Sequence, residues 1–229
     1  MELSAITEKI TIHFSSIQVL HPTTISVIGP TFCGKTQFVK NVILNKLFDP
    51  EPDQIFWVYS KPQSATDELD KRFGNFWMYK SFNSELLDRI RNYPHVKKLV
   101  ILDDQMTVLA DNPELSKLFT EDSHHCNTTV MMLMQNPFPK GKSMRDVSLN
   151  SHYKILFQNQ NDELSMRNIL NRLELDKNKT WLHEIYEDAT RKPFGYLIVN
   201  CHPHSSREQK YITDIFEEDG PVMYRKNCI

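Results

Sequence analysis

Two hydrophobic periods alternate along this chain. Apolar, β-branched or aromatic runs recur at residues 24–28, 54–60, 97–102, 128–134, 153–157 and 194–199, each bounded by polar or turn-forming residues. Such runs predict buried strands. Between them the spacing changes to three and four. Phe38, Val39, Val42, Ile43 and Leu47 share one face of a helix predicted over 35–48, stopped by Asp49-Pro50-Glu51-Pro52. Leu86, Leu87 and Ile90 follow a cap at Asn83 or Ser84, and Met166, Ile169, Leu170 and Leu173 follow a cap at Asp162. Trp181, Leu182 and Ile185 mark a further helix, and residues 113–119 read as a helical turn or two. Residues 76–79 read as a short strand and residues 136–150, with Pro137, Pro139 and Gly141, as a loop. Strands alternating with helices predict an α/β fold with a mainly parallel central sheet covered by helices on both faces. Residues 1–23 read as an N-terminal lead-in, 24–200 as the globular domain and 201–229 as a polar C-terminal arm or tail.

One junction carries specific chemistry. The strand ends in Gly29, and the chain continues Pro30-Thr31-Phe32-Cys33-Gly34-Lys35-Thr36 into the first helix. This is the pattern G-x-x-x-x-G-K-[ST] with a strand before it and a helix after it, the context a P-loop requires. The fold class sharpens to a P-loop NTPase. The loop's N–H groups form a concave anion nest at a helix N-terminus. Lys35 is placed to reach the β- and γ-phosphates of ATP, and the Thr36 hydroxyl to hold Mg²⁺. Cys33, inside the loop, is a candidate for oxidation.

Other candidates fall where ligands bind such sheets, directly after strands. Leu99-Val100-Ile101-Leu102-Asp103-Asp104 is a Walker B pattern, expected on a strand next to the P-loop strand. Asp103 would support Mg²⁺ and Asp104 would accept a proton from attacking water. Asp104 stands where many such ATPases carry glutamate, so a cap on the following turn is its other reading. Gln135 ends the run 128–134 and would orient water or sense phosphate; a plain strand terminator is the alternative. Lys140, Lys142 and Arg145 form a basic loop beside this edge, read as a solvated loop or as a contact to phosphate or DNA, Arg145 being the candidate arginine finger. His124-His125-Cys126 lacks a matching second ligand pair, and adjacent histidines on a strand point to opposite faces, so packing or hydrogen bonding is expected there rather than zinc.

Composition narrows the setting. Of 229 residues, 40% are hydrophobic and 24% charged, enough for a packed core. The net charge of −2 means that any nucleic-acid surface must be local or assembled across subunits. Cys33, Cys126, Cys201 and Cys228 are widely spaced without a C-x-x-C pair, which fits reduced thiols in an intracellular protein. The N-terminus lacks a basic start followed by an apolar run, and no run reaches the ~20 residues of a membrane span.

A longer series of segments then resembles a known group. Leu118-Phe119-Thr120-Glu121-Asp122-Ser123-His124-His125, Gln135-Asn136-Pro137-Phe138, Arg145-Asp146-Val147-Ser148-Leu149-Asn150-Ser151-His152-Tyr153 and Phe157-Gln158-Asn159, with the P-loop and Asp103-Asp104, resemble FtsK-HerA-type genome-packaging ATPases. The most similar versions are those of Maverick/Polinton elements, adintoviruses and related eukaryotic DNA viruses, with the poxvirus packaging ATPase more distant. The resemblance covers roughly residues 22–175. It implies an ATP-driven, Mg²⁺-dependent motor that threads double-stranded DNA into a capsid as a homo-oligomeric ring of about five or six subunits. The implied partners are DNA and capsid or other virion proteins. The implied location is a viral assembly site in the host nucleus or cytoplasm, or the virion. Lys35 and Thr36 match the Walker A positions, Asp103 and Asp104 the Walker B positions, and Gln135 the polar sensor. Arg145 matches the arginine finger, with Arg167 and Arg172 as the other positions to test. Two rival readings share the motif: a P-loop nucleoside or nucleotide kinase, which needs a substrate pocket and an arginine-rich lid, and a non-catalytic NTP-binding scaffold.

Overall fold

A computed structural model describes residues 7–12, 17–61, 64–173 and 180–226. The chain opens with β1 (Thr7–Thr11) and β2 (Val19–Leu20), followed by β3 (Thr24–Ile28), α1 (Lys35–Leu44), β4 (Phe48–Asp49) and β5 (Gln54–Tyr59). Next come α2 (Ser64–Arg72), β6 (Phe76–Tyr79), α3 (Ser84–Arg91), β7 (Lys98–Asp103) and α4 (Pro113–Lys117). α4 continues through a π turn, Leu118–Asp122, into α5 (Ser123–His125). The rest is β8 (Thr128–Met134), α6 (Lys142–Asn150), β9 (Tyr153–Phe157), α7 (Glu163–Leu173), α8 (Thr180–Ala189), β10 (Tyr196–Asn200), β11 (Tyr211–Thr213) and β12 (Val222–Lys226).

Ten strands form one sheet in the order β1-β12-β11-β10-β9-β3-β8-β7-β5-β6. From β9 to β6 every pairing is parallel, and from β9 outward to β1 every pairing is antiparallel. The α/β fold with its parallel centre and helices on both faces is therefore as expected. Side chains of β3 and β7 alternate between two cores. Ile25, Val27, Leu99 and Ile101 pack with Phe38, Val39 and Val42 of α1, while Val100 and Leu102 pack with α3, α4 and α6 on the other face. The period of two carries the next residue, Asp103, to the α1 face.

Several expectations are corrected. The Walker B strand β7 is not beside the P-loop strand β3; β8 lies between them. The described part of the expected arm over 201–229, residues 201–226, is not separate, because β11 and β12 extend the main sheet, and β1 from the supposed lead-in completes its edge on β12. α1 stops at Leu44, before the prolines; Lys46 turns at φ 52° and Phe48–Asp49 pairs with Val19–Leu20. Residues 142–150 are helical rather than loop, with Ser143, Met144 and Val147 buried. His124 and His125 lie on a helical turn, not a strand, and the turn over 113–119 runs on to residue 125. Asn83 is the cap of α3, accepting from Leu86 N at 3.0 Å, and Asp162 caps α7 through Ser165 N at 3.1 Å.

Candidate nucleotide site

The site is built where β3, β7 and β8 end together. Their register sets Ile28 beside Met134 and Asp103 beside Leu133, so the residues that follow emerge along one edge. Gly29 N donates to Met134 O at 3.1 Å, tying the loop's first residue to β8. A Cβ on Gly29 would meet Cys33 Sγ and Phe157 Cβ at 2.6 Å, so only glycine fits. Gly34 ends the loop at φ 103°, and no side chain caps α1 there. Gly34 has no side chain to cap the first turn of α1, the arrangement of an anion site at a helix N-terminus.

Lys35 Nζ donates to Gly29 O and Pro30 O, each at 2.7 Å, and lies 3.9 Å from Cys33 Sγ. The ammonium is therefore tucked into its own loop. Burial lowers its pKa, an effect opposed by Cys33, Asp103 and Asp104. Burial likewise pushes the Cys33 thiol up, which works against the thiolate that oxidation needs.

Thr36 Oγ1 donates to Asp103 Oδ2 at 3.4 Å. Asp103 is only 5% exposed. Burial raises its carboxyl to about 6; the Lys35 ammonium opposes this and Asp104 adds to it. A hydroxyl and a carboxylate side by side are the hard oxygen donors a small divalent cation prefers. Among the described residues no group of three His, Cys, Asp or Glu side chains could hold a metal alone. A cation here would share its ligands with phosphate and water, which suits Mg²⁺.

Asp104 is exposed and sits at φ 55°, a left-handed conformation that aspartate tolerates better than most residues. Gln135 Nε2 donates to Asp104 Oδ1 at 3.1 Å, so the two polar strand ends meet across the sheet edge. Two residues without a motif hold this turn. Ser60 Oγ donates to Asp104 O at 2.8 Å, and the buried Gln105 amide donates to Ser60 Oγ at 2.9 Å. Sequence reasoning missed both; the only signals were a serine directly after β5 and a glutamine directly after the acids.

The structure brings Lys35, Thr36, Asp103, Asp104 and Gln135 together and leaves the arginines apart. Arg145 lies on the exposed side of α6, and among the described residues no hydrogen bond or ion pair joins it to the nucleotide edge. The carboxylate next to it, Asp146, accepts from Ser116 instead. Lys140 and Lys142 are exposed nearby, with Lys142 N held by Asp111 Oδ1 at 2.8 Å. Arg172 is engaged: its guanidinium lies 4.5 Å from the Phe138 ring centre and braces the loop after Gln135. Arg167 lines a cavity of about 510 Å³ between α7 and α8. Cys33, Cys126 and Cys201 are free thiols, and Cys228 lies outside the described residues. Among the described residues no helix is long and apolar enough to cross a membrane.

Comparison with known proteins bears on the fold. No family model matches the chain. Over 49 residues, 21% of this chain, it is 41% identical to packaging protein 1 of snake adenovirus serotype 1, and the match spans 11% of that relative's length. Among solved structures it is similar to B204, the DNA-packaging ATPase of Sulfolobus turreted icosahedral virus, with a TM-score of 0.53 and 11% identity. That likeness covers 79% of this chain and 93% of the other. The cytoplasmic domain of the Thermomonospora curvata type VII secretion ATPase EccC gives a TM-score of 0.54 at 12% identity, over 98% of this chain and 28% of that one. At these identities the solved structures show a shared P-loop ATPase fold.

Proposed function

We propose that this chain is an ATP-hydrolysing motor that moves double-stranded DNA into a viral capsid, working as a homo-oligomeric ring. The observation that carries the reading is the convergence of Lys35, Thr36, Asp103, Asp104 and Gln135 on one sheet edge, with Thr36 Oγ1 3.4 Å from Asp103 Oδ2. The local likeness to an adenovirus packaging protein supports the packaging role. Thr36 and Asp103 would hold Mg²⁺, which supplies charge neutralisation at the β- and γ-phosphates. Lys35 leaves the Gly29 and Pro30 carbonyls for phosphate oxygens and stabilises charge on the transferring phosphoryl group. Asp104 is exposed to solvent water and accepts its proton, while Gln135 positions both. Arg145 serves the ATP of a neighbouring subunit, with Arg167 and Arg172 as the other positions to test. Its exposed guanidinium can hold two phosphate oxygens at once. Lys140 and Lys142, repeated by ring symmetry, supply DNA contacts that a net charge of −2 does not.

The test is ATP turnover with and without double-stranded DNA, alongside the native mass. DNA-stimulated, Mg²⁺-dependent hydrolysis by an oligomer is expected. Phosphate transfer to a nucleoside would favour a kinase instead, and nucleotide binding without turnover a scaffold.

A further inference from the structure

The catalytic carboxylates fix the direction in which a nucleotide must lie. Asp103, Asp104 and Gln135 stand on β7 and β8, to one side of β3, and mark the γ-phosphate end. The nucleoside then runs to the other side of β3, toward β9 and β10. There the structure holds a cavity of about 330 Å³ lined by Phe32, Cys33, Phe157, Arg191, Pro193 and Phe194, among others. It abuts the P-loop directly: a side chain added at Gly34 would meet Phe194 Cδ1 at 3.2 Å.

Two aromatic rings at this cavity are left largely open to solvent. Phe32, in the P-loop, is 94% exposed, and Phe194, between α8 and β10, is 69% exposed. Both adopt left-handed backbone, φ 64° and φ 63°, a conformation rarely used by bulky residues. Phe194 is third in the turn Lys192-Pro193-Phe194-Gly195, closed by Gly195 N donating to Lys192 O at 2.9 Å. With proline second, the third position of such a turn normally takes glycine. Here glycine is needed one residue later, because a Cβ on Gly195 would lie 2.7 Å from Ala189 O. The turn is anchored on both sides. Lys192 Nζ reaches Asp214 Oδ2 at 3.4 Å, and Tyr186 OH donates to Phe157 O at 2.9 Å, fixing α8 to the end of β9. An unfavourable backbone held rigidly, presenting an exposed ring, points to a ligand.

We propose that Phe194 and Phe32 form the nucleobase site, receiving the purine of the bound nucleotide by stacking. The proposal rests on nucleotide binding at residues 29–36. Stacking reads the π-face of a base and not its hydrogen-bonding edge, so the site holds the base without distinguishing adenine from guanine. Lys192 and Arg191 border the cavity, and each has a carboxylate partner, Asp214 and Asp188. The aromatic faces therefore dominate recognition.

Two probes separate base from phosphate recognition: ADP and inorganic tripolyphosphate, titrated into the full chain with Mg²⁺. Phe194→Gly should weaken ADP about 5- to 100-fold, the range base stacking commands, while tripolyphosphate affinity stays within about twofold. Glycine accepts the turn's φ, so the thermal midpoint should not fall. Phe194→Trp should retain ADP affinity, with indole fluorescence responding to ADP and not to tripolyphosphate. If Phe194→Gly binds ADP like the parent, or loses both ligands equally, the base site is wrong and the P-loop reading stands. If Phe194→Gly keeps ADP affinity and instead lowers the native mass, the ring belongs to a subunit contact and the base site is again wrong. If the unaltered chain binds neither ligand, both readings fall together.

Discussion

At the carboxyl ends of the parallel strands Lys35 is solvated by Gly29 O and Pro30 O, carbonyls of the loop that surrounds it. At the amino ends two other lysines are treated the same way, Lys98 more completely. Lys98, wholly buried, donates to Tyr93 O, Val96 O and Cys126 O at 2.6, 2.7 and 2.8 Å, and Lys154 donates to Ser148 O and Ser151 O, both at 3.0 Å. The titratable neighbours differ too. Beside Lys35 stands Asp103, a buried carboxyl raised to about 6. At the opposite edge His21 and His152 are held neutral, each lowered to about 4 chiefly by burial. Their Nδ1 atoms meet threonine hydroxyls, Thr129 Oγ1 at 2.8 Å and Thr23 Oγ1 at 3.1 Å. Buried polar groups alone therefore do not mark a site. The amino edge satisfies its two lysines within the fold, whereas the carboxyl edge keeps charges whose partners a ligand can replace.

The largest effect expected on this contrast comes from a residue that neither edge of its own subunit uses. Arg145→Ala should lower turnover by about 10³-fold, as an arginine finger does. Mixed with equally inactive Lys35→Ala subunits, it should regain part of the activity, because some interfaces then pair an intact loop with an intact arginine. Mixed oligomers that form and stay inactive would rule out action in trans and direct attention to Arg167 and Arg172.

Lys35→Ala should reduce turnover by about 10²–10³-fold while shifting the thermal midpoint little. Lys98→Met should do the reverse. Leaving three buried carbonyls unpaired costs about 3 kcal/mol, roughly 6–12 °C in a chain of this size, with turnover per folded molecule within twofold. A stable Lys98→Met with lost turnover would erase the distinction between the edges.

Of the same order as the Lys98→Met effect is the pH dependence of stability. Folded Asp103 keeps its proton to about 6, while the unfolded carboxyl releases it near 3.8. The fold binds the extra proton between these values, so this group removes stability as pH rises from 4 to 6, by up to about 3 kcal/mol. His21 and His152 act oppositely: unfolded they charge below 6.5, folded only below about 4, so they remove stability as pH falls through that window. Asp103→Asn should raise the thermal midpoint at pH 8 and not at pH 4; His152→Asn should lessen the loss on acidification. Midpoints that move the other way would show that the edges are not polarised as described.

Salt provides a further check on DNA binding by the ring. Affinity should fall steeply with salt, and the Lys140→Ala, Lys142→Ala double variant should flatten that slope by about two counterions per subunit engaged. A slope unchanged by the substitutions would place the DNA elsewhere.

The order of legibility along the chain follows the range of the forces involved. The strand–loop–helix at residues 24–44 was readable because a glycine-framed turn between a period of two and a period of 3.6 is decided within about twenty residues. The same holds for Asp103 and Gln135, each a polar residue ending an apolar run. α6 was hidden by Pro137, Pro139 and Gly141 before it and by a core face reduced to Met144 and Val147. β12 was hidden because its last residues, Arg225 and Lys226, reach solvent at the sheet's antiparallel end, so the run reads as polar.

The sequence by itself determined the phosphate loop, the acids and the α/β alternation, since each is written in neighbouring residues. Tertiary structure alone decided that β8 separates β3 from β7, that Ser60 and Gln105 lock the turn at Asp104, and that Phe194 lies on Gly34 160 positions away in the chain. Strand order and contacts across such separations depend on which surfaces bury one another best, a property of the whole sheet that no local pattern encodes.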